Sequence, residues 1–163
     1  MSTGKSVNQA AAADGSLPLA RLLAIAYRQL ITDLHAELAE QGWGELRPAY
    51  GFALLTLRPG PLPGSELGAA LGMTKQASSK LVDALVAAGY VRRLTSRGDA
   101  RVRPVELTER GQALLVASED IYHSLEGQWA AIIGPDRLAA LREDLVAVVS
   151  QADGELPPVR PLW

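Results

Sequence analysis

Apolar residues recur at three- and four-residue steps through Leu19, Leu22, Leu23, Ala26, Leu30, Leu34 and Leu38. That period predicts a long amphipathic helix from Leu17 to about Glu40. Gly42 and Gly44 end it. A second helix is expected from Pro48 through "AYGFALLTL", because proline fits a first helical turn, where its missing N–H has no partner to lose. "RPGPLPG", Arg58 to Gly64, reads as a loop. In "SELGAALGMTKQASSKLVDALVAAGYV", Leu67, Ala70 and Leu71 form a short apolar helical face that Gly72 terminates. The Thr74 hydroxyl is placed to cap the next helix. There Ala77, Leu81, Leu85 and Ala88 are expected on one face and Lys75, Gln76, Ser78, Ser79 and Lys80 on the other, until Gly89 closes it.

The pattern then shortens. "YVRRLT" and "RPVEL" predict two strands around a turn at Gly98-Asp99 that is too long for a two-residue hairpin. Thr108 can cap a further helix, with Glu109 in the first turn where the helix dipole favours a negative charge. This helix carries Leu114, Leu115, Ile121, Leu125 and Trp129 and runs to about Ile133. Gly134-Pro135-Asp136 breaks it, and a last helix follows through Leu138, Leu141, Leu145 and Val148 or Val149. Residues 1–16 lack periodicity and read as a disordered leader, and "GELPPVRPLW" is too proline-rich to stay helical. The class expected is mostly α with a small β-hairpin, in one domain.

Composition agrees. Of the 163 residues 48% are apolar but only 5% aromatic, and the abundance of Ala and Leu favours helices. No cysteine is present, which excludes disulfides, thiolate metal sites and thiol redox sensing. No apolar run reaches the roughly 18–20 residues of a membrane-spanning helix, and the N-terminus lacks a secretory pattern. A cytoplasmic protein without membrane contact is therefore expected. The net charge of −2 hides an asymmetry: Lys75 to Arg103 holds seven basic residues against two acidic ones, leaving −7 for the rest. A basic segment on an acidic body suits a protein that meets a polyanion with one face.

Catalytic chemistry has little to stand on. There are only two histidines, His35 and His123, and no nucleophile-elbow, zinc-protease or phosphate-loop motif. The pairs Glu119-Asp120 and Glu143-Asp144 read as solvated helix faces. A metal site built from His35, His123 and acidic neighbours would lack the dense ligand cluster usual for such sites. No enzyme activity, metal or cofactor is expected.

Two short helices joined by a tight glycine-containing turn form a helix-turn-helix, whose second helix can enter a DNA major groove. "SELGAALGMTKQASSKLVDALVAAGYVRR" followed by "DARVRPVELTERGQALL" resembles the MarR family of winged helix-turn-helix transcriptional regulators. The likeness rests on the Asp-x-Arg pair at Asp99 and Arg101 and on the Leu-Thr-x-x-Gly helix start at Leu107, Thr108 and Gly111. It implies a MarR-like domain over 17–152, with a DNA-binding lobe at 45–108, dimerisation helices at 17–40 and 109–152, and a tail at 153–163.

The resemblance implies a homodimer that reads a near-palindromic operator in double-stranded DNA, most often as a repressor. Its half-sites would lie about one helical turn apart. On the recognition helix Thr74, Lys75, Gln76, Ser78, Ser79 and Lys80 are the candidates. Gln76 suits an adenine edge, Lys75 or Lys80 a guanine, and Ser78 and Ser79 phosphates or either base. In the wing, Arg101 would enter the minor groove oriented by Asp99, with Arg97 and Arg103 on flanking phosphates. The family often binds small aromatic or phenolic effectors, for which Tyr27, His35, Trp43, Tyr50 and Trp129 are candidates, each equally explicable as a packing residue. The competing reading is a winged-helix protein-interaction module without DNA binding. Arg101→Ala is expected to weaken operator binding strongly in a DNA titration while the dimer stays folded; unchanged affinity would remove Arg101 from the groove.

Overall fold

The computed structural model describes residues 15–94 and 103–150. Among the described residues six helices and three short strands follow one another: α1 (Leu19–Glu40), α2 (Pro48–Leu57), β1 (Leu62–Pro63), α3 (Gly64–Ala70), α4 (Lys75–Ala87), β2 (Val91–Arg93), β3 (Pro104–Leu107), α5 (Glu109–Ile133) and α6 (Pro135–Val149). The helices lie where the apolar periodicity and the Gly and Pro stops put them.

At the centre stands α2, which is apolar on nearly every side and accordingly buries Tyr50, Ala53, Leu54 and Leu57. Around it α3, α4, β3 and α5 close one core, contributed by Leu67, Leu71, Leu81, Leu85, Val105 and Leu114 among others. Leu34 and Leu38 in the C-terminal half of α1 join that core, and α1 also packs on α5. The N-terminal half of α1 does not: Leu19, Leu22, Leu23 and Ile25 remain exposed. α6 rests on α5 and buries none of its residues, leaving Leu141, Leu145, Val146, Val148 and Val149 in the open.

The expected loop at Arg58–Gly64 contains a strand. Leu62 and Pro63 pair antiparallel with Val105 and Pro104, giving a three-stranded sheet of order β1-β3-β2. Proline is tolerated there because β1 is an edge and Pro104 opens its own strand, so neither missing N–H removes an interior ladder bond. Two residues amid prolines carry no alternation of their own, and β3 supplies the pairing. On the other side Val91, Arg92 and Arg93 pair with Leu107, Glu106 and Val105. The wing tip, including Arg97, Asp99 and Arg101, lies outside the described residues, as do most of the leader and the tail.

The sheet is fastened to α5 at one point. Thr108 Oγ1 accepts from Gly111 N at 3.1 Å, capping the helix, and donates to Gly89 O at 2.6 Å. Thr108 N bonds Tyr90 O at 3.0 Å. Tyr90 O is thereby held so near α5 that a Cβ on Gly111 would lie 2.1 Å from it. The Leu-Thr-x-x-Gly start is thus a clasp in which threonine supplies the bonds and glycine the room. Gly111→Ala is expected to destabilise the fold by about 1–3 kcal/mol, read as a lowered urea midpoint; an unchanged midpoint would show that Tyr90 can retreat freely.

Candidate nucleic-acid interface

α3 and α4 are joined by the turn Leu71–Thr74, and Thr74 Oγ1 caps α4 by accepting from Ala77 N at 3.2 Å. The crossing of the two helices depends on small residues. Ser78 is 2% exposed and donates its hydroxyl to Gly64 O at 2.6 Å. A Cβ on Gly68 would stand 2.6 Å from Ser78 Cβ, so α3 and α4 touch through a glycine and a serine.

Ser78 therefore leaves the group of exposed polar candidates. Its hydroxyl is consumed within the lobe, because position 78 shares the inward face with Leu81, Val82 and Leu85. Ala77, expected inside, is exposed. Leu81 and Leu85 are buried as expected, but the inward face is completed by Ser78 and Val82 rather than by Ala77. The remaining outward set is Lys75, Gln76, Ala77, Ser79 and Lys80 beside Thr74, all exposed.

The electrostatics of this face depart from those of an ordinary solvated helix. The first turn of α4 has no acidic residue, and Lys75 occupies its positive end, where the dipole disfavours a cation and favours an anion. Of the other basic side chains nearby, Arg93 is paired with Asp83 of α4 at 2.6 Å and Arg92 with Glu106 across the strands at 2.6 Å. Among the described residues Lys75, Lys80 and Arg103 have no ion-pair partner.

The five effector candidates do not form one site. His35 and Tyr50 line an open cavity of about 680 Å³ between α1 and the α1–α2 turn, together with Glu45 and Arg47. Partial burial lowers the proton affinity of the His35 imidazole below its usual value. Tyr27 lines a separate, mostly apolar cavity of about 240 Å³ with Phe52, Leu55, Leu115 and Tyr122. Burial raises the Tyr122 phenol pKa, with the Tyr27 charge adding to it.

Trp43 and Trp129 line neither cavity. Trp43 packs on the core, with the Arg110 guanidinium 5.5 Å from its ring centroid and its carbonyl accepting from the Tyr90 hydroxyl at 3.2 Å. Trp129 is half-buried on α5. Tyr122 is the residue that sequence reasoning missed; its spacing of seven from Leu115 placed it on the same face, and that was the available signal.

Residues 46–102 match the sequence model of the MarR family. The fold is similar to that of MarR from E. coli in its reduced form, at 25% identity and a TM-score of 0.69, covering 82% of this chain and 97% of that one. It is also similar to CouR, a transcriptional repressor solved with a 23-mer DNA duplex, at 26% identity and a TM-score of 0.63, covering 80% and 92%. A mutant of MepR from S. aureus, bound to an oligodeoxyribonucleotide, shares the fold at 18% identity and a TM-score of 0.60, covering 82% and 97%.

The buried contact separates a structural role for Ser78 from a base-reading one. Ser78→Ala is expected to cost about 1 kcal/mol in stability while leaving the ratio of affinities for cognate and scrambled duplexes unchanged. A changed ratio at unchanged stability would put Ser78 on the DNA.

Proposed function

We propose that this chain, which belongs to the MarR family of winged helix-turn-helix transcriptional regulators, is a sequence-specific repressor that binds a near-palindromic operator as a homodimer. The observation that carries this reading is the outward face of α4, where Lys75, Gln76, Ser79 and Lys80 stand free beside a sheet that leads into an arginine-rich wing. Gln76 and the two lysines have the donors that base edges accept, and Ser79 suits a phosphate. The wing arginines Arg97 and Arg101, with Asp99 as brace, and Arg103 would follow the adjacent minor groove.

The homodimer accounts for what the single chain leaves uncovered. The exposed leucines and valines of α1 and α6 form apolar surface that a monomer in water would ordinarily hide. Helices over 17–40 and 109–152 would interlock with their copies, leaving the 45–108 lobe outermost. A two-fold axis then presents two α4 helices to successive major grooves.

Release by a small aromatic or phenolic effector is the finer part of the proposal. The cavity at His35 and Tyr50 and the one at Tyr27 both lie between α1 and the lobe or α5. An occupant there changes DNA affinity only in so far as it binds the DNA-competent and incompetent dimers unequally.

Fluorescence anisotropy with duplexes from the protein's own promoter region tests the reading. Binding is expected to exceed that of scrambled DNA and to weaken steeply with salt, as release of counterions from neutralised phosphates requires. Failure to bind any such duplex would favour a protein-interaction module instead.

A further inference from the structure

Ala77 is the residue of α4 that the core leaves out and that the polar outward set does not account for. Of the exposed residues from Thr74 to Lys80 it is the apolar one. It stands in the first turn of α4, at the end by which a recognition helix meets base edges. Its N–H donates to Thr74 Oγ1 at 3.2 Å, so the backbone that carries its Cβ is held in place. A methyl on a fixed backbone has no rotamer to lose when it makes a contact.

Thr74 is placed by the same bond. Its backbone is extended, at φ −67° and ψ 155°, and its Oγ1 turns back to accept from Ala77 N. The other heavy branch on its Cβ is the Cγ2 methyl. With the oxygen directed at the helix end, that methyl is the branch left for an outside contact, and Thr74 is exposed. The cap thus has two consequences. It satisfies a free N–H, and it sets a threonine methyl and an alanine methyl at the tip of the helix beside Gln76.

We propose that Thr74 Cγ2 and Ala77 Cβ read thymine methyl groups in the major groove and so fix A·T pairs within each half-site; the proposal rests on the DNA-binding reading above. The C5 methyl of thymine is the one methyl group that an unmodified base pair presents in that groove, and alanine and the threonine methyl are side chains suited to it. It separates A·T from T·A, and both from G·C, without a hydrogen bond. A longer polar side chain at position 77 would strand a donor or acceptor against that methyl. The contact complements the Gln76 amide, which suits an adenine edge, so the tip of α4 is matched to a step where adenine and thymine adjoin.

Anisotropy titrations with the full chain test this on a promoter-derived duplex that binds above scrambled DNA, with deoxyuridine replacing one thymine at a time. Deoxyuridine removes the methyl and keeps every base-pairing hydrogen bond. At the contacted positions the wild-type chain is expected to lose about fourfold in affinity per methyl. Thr74→Ser keeps the capping hydroxyl and deletes Cγ2, so the urea midpoint is expected not to fall. This variant should bind the thymine duplex about as weakly as the wild type binds the matching deoxyuridine duplex, and lose nothing more on that replacement. Ala77→Gly is expected to show the same coupling at its own thymine.

Glycine also weakens a helix, so Thr74→Ser decides the matter should Ala77→Gly not fold. A deoxyuridine loss that persists in full in both variants would assign the methyl to another side chain and overturn the proposal. Wild-type binding that no deoxyuridine replacement lowers overturns it alone. A wild-type chain that binds no duplex removes the DNA reading and this one together.

Discussion

The bonds around Thr108 are the constraint on which the arrangement depends. One hydroxyl caps α5 through Gly111 N and holds Gly89 O at the exit of α4, while Thr108 N takes Tyr90 O. The end of the helix-turn-helix, the wing and the long helix therefore meet within a few residues, with no slack between them. Tyr90 extends the junction: it is 2% exposed, stacks edge-on with Tyr50 at 6.2 Å, and donates its hydroxyl to the Trp43 carbonyl. Arg110 lies over both the Trp43 and Tyr90 rings. The core around α2, which touches both α4 and α5, and this junction are the contacts that join the long helix to the recognition helix.

Further ties run from the lobe to the long helix and along it. Arg58, just past α2, pairs with Glu119 of α5, and Arg142 of α6 pairs with Glu126 at 2.5 Å. Both pairs are largely solvent-exposed, so each contributes little to stability. They act on register more than on energy, whereas the apolar contacts of α2 hold the lobe together. The basic segment divides along the same line: Arg92 and Arg93 are engaged within the chain, and Lys75, Lys80 and Arg103 project outward. A count of charges along the sequence cannot separate these two groups, because pairing depends on which strand lies beside which helix.

Much of the fold was legible from residue order alone. The helices of Leu19–Glu40, Pro48–Leu57, Glu109–Ile133 and Pro135–Val149 follow from apolar periodicity and from Gly and Pro stops, both properties of the local backbone. The caps at Thr74 and Thr108 are likewise local, since a hydroxyl three residues before a free N–H needs no tertiary partner. The winged helix-turn-helix order was readable because its Gly, Thr and Leu positions serve those same local needs.

What required the tertiary structure was every choice between neighbours on one helix or between distant segments. Ser78 is as polar as Ser79, yet a rotation of about 100° per residue turns one toward Gly64 O and the other toward solvent. Leu62 and Pro63 become a strand only because Pro104 and Val105 lie alongside. Trp43 and His35 are eight residues apart and were grouped as one candidate site; packing puts the first under Arg110 and the second on an open cavity. The sequence by itself determined the helices, the two wing strands, their order and the presence of a basic segment, because those depend on near neighbours along the chain. Tertiary structure alone decided which side chains of that segment are spent inside the protein and which remain outward, because burial and pairing are set by residues tens of positions away.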